Sequence, residues 1–300
     1  MLRRNNQGQN FYVSSMEKSA KDKARLFPFV RGKLIVDMGA GAGPLSELLS
    51  IHFPESKIIA VDCEQDMIVR LKKRFKENPR IKVVKSNVQT FSCPEKVDTV
   101  IFTSVLHEVF SFKDYSHQEV IETLKNVHKI LTPGGRLIIR DGIQPEQETL
   151  YLRAKNSWAY EKFNRFVKNF RVRPIVFCKG VFNNDSFIQQ KPKDYEEFEK
   201  KKFFIEMHSQ DASELLSKYF YSEDNWEIEL KEQFGIWSLR EYQHVLIDIG
   251  YHIVYAETYV LPYLIKEHYS KDFDVYRLEN GYPTKIQYPP STMILVAEKS

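Results

Sequence analysis

Three glycines at alternate positions, Gly39, Gly41 and Gly43, follow directly on the apolar run Leu34-Ile35-Val36-Asp37-Met38. Residues without a Cβ let backbone N–H groups approach a bound group closely and take up left-handed turns. The spacing is G-x-G-x-G, whereas a dinucleotide fingerprint needs its third glycine five residues after the first. Three carboxylates stand in or just after similar runs. Asp37 lies two residues ahead of Gly39, Asp62 ends Lys57–Val61, and Asp141 follows Arg136–Arg140. His107 comes a few residues after another such run, Val97–Phe102. An unperturbed imidazole titrates near 6.5, so it can take a proton near neutrality. His107-Glu108 does not open a zinc motif, because H-E-x-x-H needs a second histidine where this chain has Ser111.

These residues are useful only if the elements around them bring them together. Short runs rich in β-branched residues and bounded by turns read as buried parallel strands. They are Lys33–Met38, Lys57–Asp62, Ile81–Lys85, Val97–Phe102 and Arg136–Arg140. Helical patterns alternate with them, starting at Leu45 and spanning Gln65–Lys76 and Gln118–Leu131. The last carries Val120, Ile121, Leu124, Val127 and Leu131 at helical spacing. Thr132-Pro133-Gly134-Gly135 makes a sharp turn before the fifth strand. A helix over Ser238–Ile249, capped by Ser238 and ended by Gly250, precedes strands at Tyr251–Glu257 and Thr292–Ala297. Such alternation predicts an α/β sandwich.

Taken in order, four features resemble the class I S-adenosylmethionine-dependent methyltransferases. They are the G-x-G-x-G loop with Asp37, the strand-end Asp62, the pair Asn87-Val88, and Leu131-Thr132-Pro133-Gly134-Gly135-Arg136-Leu137. Leu106-His107-Glu108 is similar to a tripeptide that small-molecule members carry after the fourth strand. The resemblance covers about 31–143 and 237–300. It implies a Rossmann-like, seven-stranded, mostly parallel sheet with helices on both faces, and S-adenosyl-L-methionine as cofactor. The cofactor contacts it implies fall on Asp37, Gly39, Ala40, Gly41, Gly43, Asp62, Cys63, Met67, Asn87, Val88 and Thr103.

Asp62 is placed to accept hydrogen bonds from both ribose hydroxyls, or else to cap the following helix. Cys63 and Met67 would pack near the adenine. The side-chain oxygen of Asn87 would meet the adenine amine and the backbone of Val88 a ring nitrogen; a plain turn residue is the alternative. His107 and Asp141 form the catalytic expectation, His107 as acid–base group and Asp141 as its candidate partner. The alternative for His107 is a residue that packs or caps its loop.

Residues 144–236 depart from the plain fold and read as a largely helical insertion that roofs the acceptor pocket and determines substrate choice. Leu150–Arg173 interleaves aromatics with Lys155, Lys162, Arg165, Lys168 and Arg171. It is either an amphipathic helix or a basic surface tracking phosphates. Residues 1–30, with a short helix over Met16–Leu26, read as a solvated arm or a lid. The aromatic link before the last strand should fold against the insertion.

A net charge of +4 permits a nucleic-acid partner without arguing for one. Cys63, Cys93 and Cys178 form no C-x-x-C pair, which suits free thiols in a reducing compartment better than disulfides or zinc. With no signal peptide and no bilayer-length apolar run visible, the expectation is a soluble, cytoplasmic protein. The first functional expectation is methyl transfer to an oxygen or nitrogen of a small molecule. An RNA (tRNA) methyltransferase using the basic aromatic insertion comes second, and a non-catalytic cofactor-binding module third. The Asp-Pro-Pro-Tyr or Asn-Pro-Pro-Tyr box of many base N-methylating enzymes does not occur in the chain.

Overall fold

The structure is a computed structural model that describes residues 20–179, 187–188 and 191–300. The chain divides into two compact units. Of the described residues, the first holds those up to Gly142, Glu232–Thr258 and Met293–Ser300; the second holds those within Ile143–Lys231 and Tyr259–Thr292.

Seven strands build the first unit: β1 (Leu34–Met38), β2 (Lys57–Asp62), β3 (Ile81–Lys85), β4 (Val97–Thr103), β5 (Leu131–Gly142), β10 (Tyr251–Tyr259) and β13 (Thr292–Lys299). The intervening numbers belong to the second unit. The sheet order is β10-β13-β5-β4-β1-β2-β3. Pairs β1–β2, β1–β4, β2–β3 and β4–β5 are parallel. The chain therefore winds outward from β1 to β3, then crosses back to lay β4 on the other side of β1. Ligands of open α/β sheets bind beyond the strand ends at that reversal. The register brings the polar groups there: Asp37 lies opposite Ile101, Asp62 opposite Lys85, and Thr103 opposite Arg140.

The strands are apolar because both faces are covered. Ile35, Val36, Ile58, Val61, Val100, Phe102, Leu137 and Ile139 are all fully buried. Each such side chain gains about 1.5–3 kcal/mol on leaving water. The covering helices of this unit are α1 (Pro44–His52), α2 (Gln65–Arg74), α3 (Leu106–Ser111), α4 (His117–Ile130) and α9 (Leu239–Ile249). Ser116 caps α4 by accepting from Glu119 N. Ser238 and Glu241 form a reciprocal capping box on α9, and Gly250 ends it in the left-handed region at φ +109°. The Thr-Pro-Gly-Gly turn lies inside β5 as an irregularity. Leu131 faces Val97, but the next pair on that ladder is Arg136 with Thr99.

The second unit corrects the expectation of a largely helical insertion. Helices α5 (Ser157–Asn169), α6 (Tyr195–Lys200), α7 (Ser209–Lys218) and α8 (Glu223–Glu229) are present. They accompany a six-stranded sheet of order β12-β11-β6-β9-β7-β8. Its strands are β6 (Thr149–Ala154), β7 (Val176–Lys179), β8 (Phe187–Ile188), β9 (Phe203–His208), β11 (Phe273–Glu279) and β12 (Tyr282–Lys285). The sheet's paired strands run antiparallel. The stretch from Leu150 splits because Leu150, Leu152 and Ala154 alternate into the core as a strand, while Ala159, Phe163 and Phe166 follow helical spacing. β11 pairs with β6, which draws 259–292 into this unit, whereas 232–236, expected within the insertion of 144–236, belong to the first unit.

Of the N-terminal arm, residues 1–19 lie outside the described residues. The rest forms a helical turn, Ala20–Lys23, followed by a 3-10 segment, Ala24–Phe29. Among the described residues, no helix is long and apolar enough to cross a membrane.

Candidate active site

The glycine loop closes over the end of β2. Gly39 N and Ala40 N both donate to Val61 O, at 2.9 and 2.8 Å, and Gly43 N donates to Ala40 O at 2.9 Å. Gly39, Gly41 and Gly43 have φ of +72°, +56° and +90°, a region that L side chains rarely adopt. Packing adds a second reason at two of them. A Cβ on Gly39 would lie 2.4 Å from Val105 Cγ2, and one on Gly43 2.7 Å from the Phe75 ring. The crowding at those two positions is thus internal to the protein.

Asp62 is held rigidly. Its Oδ2 accepts from Gly41 N at 2.9 Å and its Oδ1 from Glu64 N at 2.8 Å. Glu64, not Asp62, is the residue that starts α2, so the helix-cap alternative falls. Each carboxylate oxygen keeps a lone pair for a further donor. Desolvation raises its pKa in spite of the two backbone bonds.

Asp37 is fully buried, and Ser46 Oγ donates to its Oδ2 at 2.6 Å. Its Oδ1 is buried with no hydrogen-bond partner. Burial pushes this carboxyl from 3.8 up to about 6, against the pull of the Ser46 bond and the Lys23 charge.

The other residues expected at the cofactor separate into two groups. Met67, Val88 and Thr103 are buried around the strand ends, and Ala40 sits in the loop. Cys63 and Asn87 are exposed. Asn87 Oδ1 accepts from Gln89 N at 2.9 Å, an Asx-type turn that uses the oxygen expected to meet an adenine amine. The turn alternative accounts for that contact.

His107 is 7% exposed, on the first turn of α3. Its Nδ1 bonds Asp141 Oδ1 at 2.6 Å, and its Nε2 faces Glu232 Oε2 at 3.4 Å. Asp141 is fixed in turn: Oδ2 accepts from Val105 N and Leu106 N at 3.0 and 2.7 Å, and Gly142 N donates to Oδ1 at 2.8 Å. Burial disfavours the imidazolium, but Asp141 and Glu232 outweigh it and raise the histidine well above 6.5. The imidazolium likewise holds Asp141 below the usual carboxylate range, against its burial. The two carboxylates therefore favour the imidazolium over the neutral ring.

Glu232 was outside the expected site. Its segment turns into the site beside Gly142, where a Cβ would lie 2.2 Å from Phe234 O, and the Phe234 ring stands edge-on to His107 at 5.0 Å. Glu232 ends an acidic stretch, Glu223–Glu232 around Trp226, and nothing local distinguishes it from the other carboxylates there. Glu108 completes a group with His107 and Glu232 whose ligand-type atoms lie within 4.8 Å of one another.

In the second unit, two of the residues considered for phosphate contacts are already engaged. Lys162 donates to Glu223 at 2.8 Å and sits 4.6 Å from the Trp226 ring centre; Arg165 pairs with the same carboxylate.

A seven-stranded sheet with this order, a glycine loop after β1 and an acidic residue ending β2 define a Rossmann-like nucleotide-site α/β fold. The profile of the O-methyltransferase domain matches residues 6–168, more than half of the chain, and the chain belongs to that family. Malonyl-[acyl-carrier protein] O-methyltransferase of Priestia megaterium is 29% identical over 124 residues, covering 40% of this chain and 42% of the relative. The grayanic acid biosynthesis cluster O-methyltransferase of Cladonia grayi is 31% identical over 134 residues, covering 42% and 28%. The chain thus spans less than half the length of these curated relatives. A 1,6-didemethyltoxoflavin-N1-methyltransferase structure from Burkholderia thailandensis shares the fold at a TM-score of 0.50 and 12% identity. It covers 96% of this chain and 81% of that one.

Proposed function

We propose that this chain is an S-adenosylmethionine-dependent O-methyltransferase acting on a hydroxyl of a small molecule. The observation that carries the reading is the clamped imidazole, His107 between Asp141 and Glu232, at the strand ends that also carry the glycine loop. The cofactor fits the residues present. Asp37 has a buried oxygen without a partner, suited to an ammonium, and Asp62 presents a rigid carboxylate suited to vicinal hydroxyls. When bound, the sulfonium supplies an already activated methyl group.

The protein's work is to align the acceptor oxygen, exclude water and remove its proton. Asp141 holds the Nδ1–H and so directs Nε2 toward the acceptor. The hydroxyl proton passes to Nε2, and Glu232 stabilises the imidazolium that results. Because the two carboxylates raise the histidine, the proton-accepting form becomes more populated as pH rises.

Incubation with methyl-labelled cofactor and a panel of phenols, hydroxy acids and carboxylic acids tests the reading. Label should appear on an acceptor oxygen with wild type and fall by about 10²–10⁴ in rate for His107→Gln. Label found only on RNA, or equal rates in the two proteins, would refute it.

A further inference from the structure

His107 has a carboxylate beside each ring nitrogen, at unlike distances. Asp141 Oδ1 meets Nδ1 at 2.6 Å, whereas Glu232 Oε2 stands 3.4 Å from Nε2. A charge-assisted hydrogen bond closes to about 2.7–2.9 Å, so the second contact is long for one. The gap does match the spacing of two donors on a tetrahedral ion of the zinc type. Metal–nitrogen and metal–oxygen bonds of about 2.0–2.2 Å put neighbouring donors about 3.4 Å apart.

Glu108, the next residue on α3, brings a third donor. One ligand-type atom from each of His107, Glu108 and Glu232 lies within 4.8 Å of the other two. Among the described residues, no other three such side chains gather that closely. His107 and Glu232 are 7% and 3% exposed, so their donors are held in place, while Glu108 is half-buried and leaves a path from solvent. The Nδ1 bond to Asp141 is the outer support that metal-binding imidazoles use, and it leaves the Nε2 lone pair for an ion. Charge within the group points the same way. Even as imidazolium, His107 sets one positive charge against three carboxylates, Asp141, Glu232 and Glu108. A divalent ion in place of the Nε2 proton halves that excess.

We propose that His107, Glu108 and Glu232 bind a divalent transition-metal ion of the zinc class, with Asp141 holding the imidazole from outside. An imidazole nitrogen beside two carboxylates suits such ions better than magnesium, which takes oxygen donors. Binding is an exchange, in which Nε2 gives its proton to solvent and its lone pair to the ion. Metal and acceptor proton therefore compete for one lone pair, and occupancy blocks the proton transfer proposed above. The spacing H-E-x-x-H does not announce the site, because its third ligand, Glu232, comes from a distant segment.

Titration of the full chain with cobalt(II) and zinc chlorides, without cofactor or acceptor, tests this. Wild type should take up one equivalent of cobalt with the visible d–d absorption of a low-coordinate nitrogen–oxygen site. An equivalent of zinc should bleach that absorption, and excess magnesium should not. By calorimetry, Glu232→Gln and Glu108→Gln should each weaken zinc at least about tenfold. Equal zinc affinity in wild type and either variant would mean an adventitious ion only and overturn the proposal, as would no uptake by wild type. Should the variants fail to fold, X-ray absorption of cobalt-loaded wild type decides. One imidazole with oxygens alone supports the site; a cobalt–sulfur bond or a second imidazole overturns it. No readout requires methyl transfer, so failure here leaves the proposed function standing.

Discussion

Asp37 is held at a cost to the fold that can be measured. Its pKa rises from 3.8 in the unfolded chain to about 6 in the folded one, chiefly because burial penalises the anion. Between those two values the folded state binds more protons than the unfolded state, so stability falls as pH rises. At 1.36 kcal/mol per pKa unit, the full penalty approaches about 3 kcal/mol above pH 6. Asp37→Asn removes the titration and keeps an oxygen to accept from Ser46.

The amide's two N–H groups bring a desolvation penalty of their own, on the order of 1–3 kcal/mol, but it does not vary with pH. The informative quantity is therefore the change in the stability difference between pH 4 and pH 7.5. The variant should gain about 2–3 kcal/mol relative to wild type over that interval. Thermal melts in matched buffers at the two pH values would measure it. The same variant should lose affinity for S-adenosylhomocysteine, trading function for stability. A stability difference that is flat with pH, or that moves against the variant as pH rises, would refute the reasoning.

Asp62→Ala should cost about 2–4 kcal/mol of S-adenosylhomocysteine binding by calorimetry, and Asp62→Asn less, since an amide oxygen still accepts. Part of the alanine effect should come from a loosened loop, because Gly41 N loses its acceptor. At His107 the raised pKa makes the imidazolium stabilise the fold fully below pH 6.5, with that contribution fading as pH climbs through the folded value. His107→Gln should therefore lower the melting temperature most at acidic pH and progressively less above neutrality. The acidic limb of the wild-type profile of kcat/KM should lie well above 6.5, and Glu232→Gln should move it to lower pH.

Much of the first unit is legible in the chain because each signal is local. Buried parallel strands need unbroken apolar runs, so β1, β2 and β3 appear close to their observed limits. The capping box at Ser238 and the left-handed Gly250 are likewise fixed by neighbours a few residues away. Asp62 is readable for the same reason, since its position at a strand end defines what it can reach. The second unit is less legible. Leu150–Ala154 satisfies a strand period and adjoins a helical one, and only pairing with β9 and β11 decides between them.

Sequence alone determined the glycine loop, the strand-end carboxylates and His107, because these depend on residue type beside a recognisable element. It could not supply Glu232, which comes to His107 from a segment distant in the chain and whose burial and charge partner exist only after the sheet has closed. The upward shift of His107 was decided the same way. An imidazole's pKa depends on what lies within a few ångströms of it, and here two carboxylates, 34 and 125 positions away in the chain, set it.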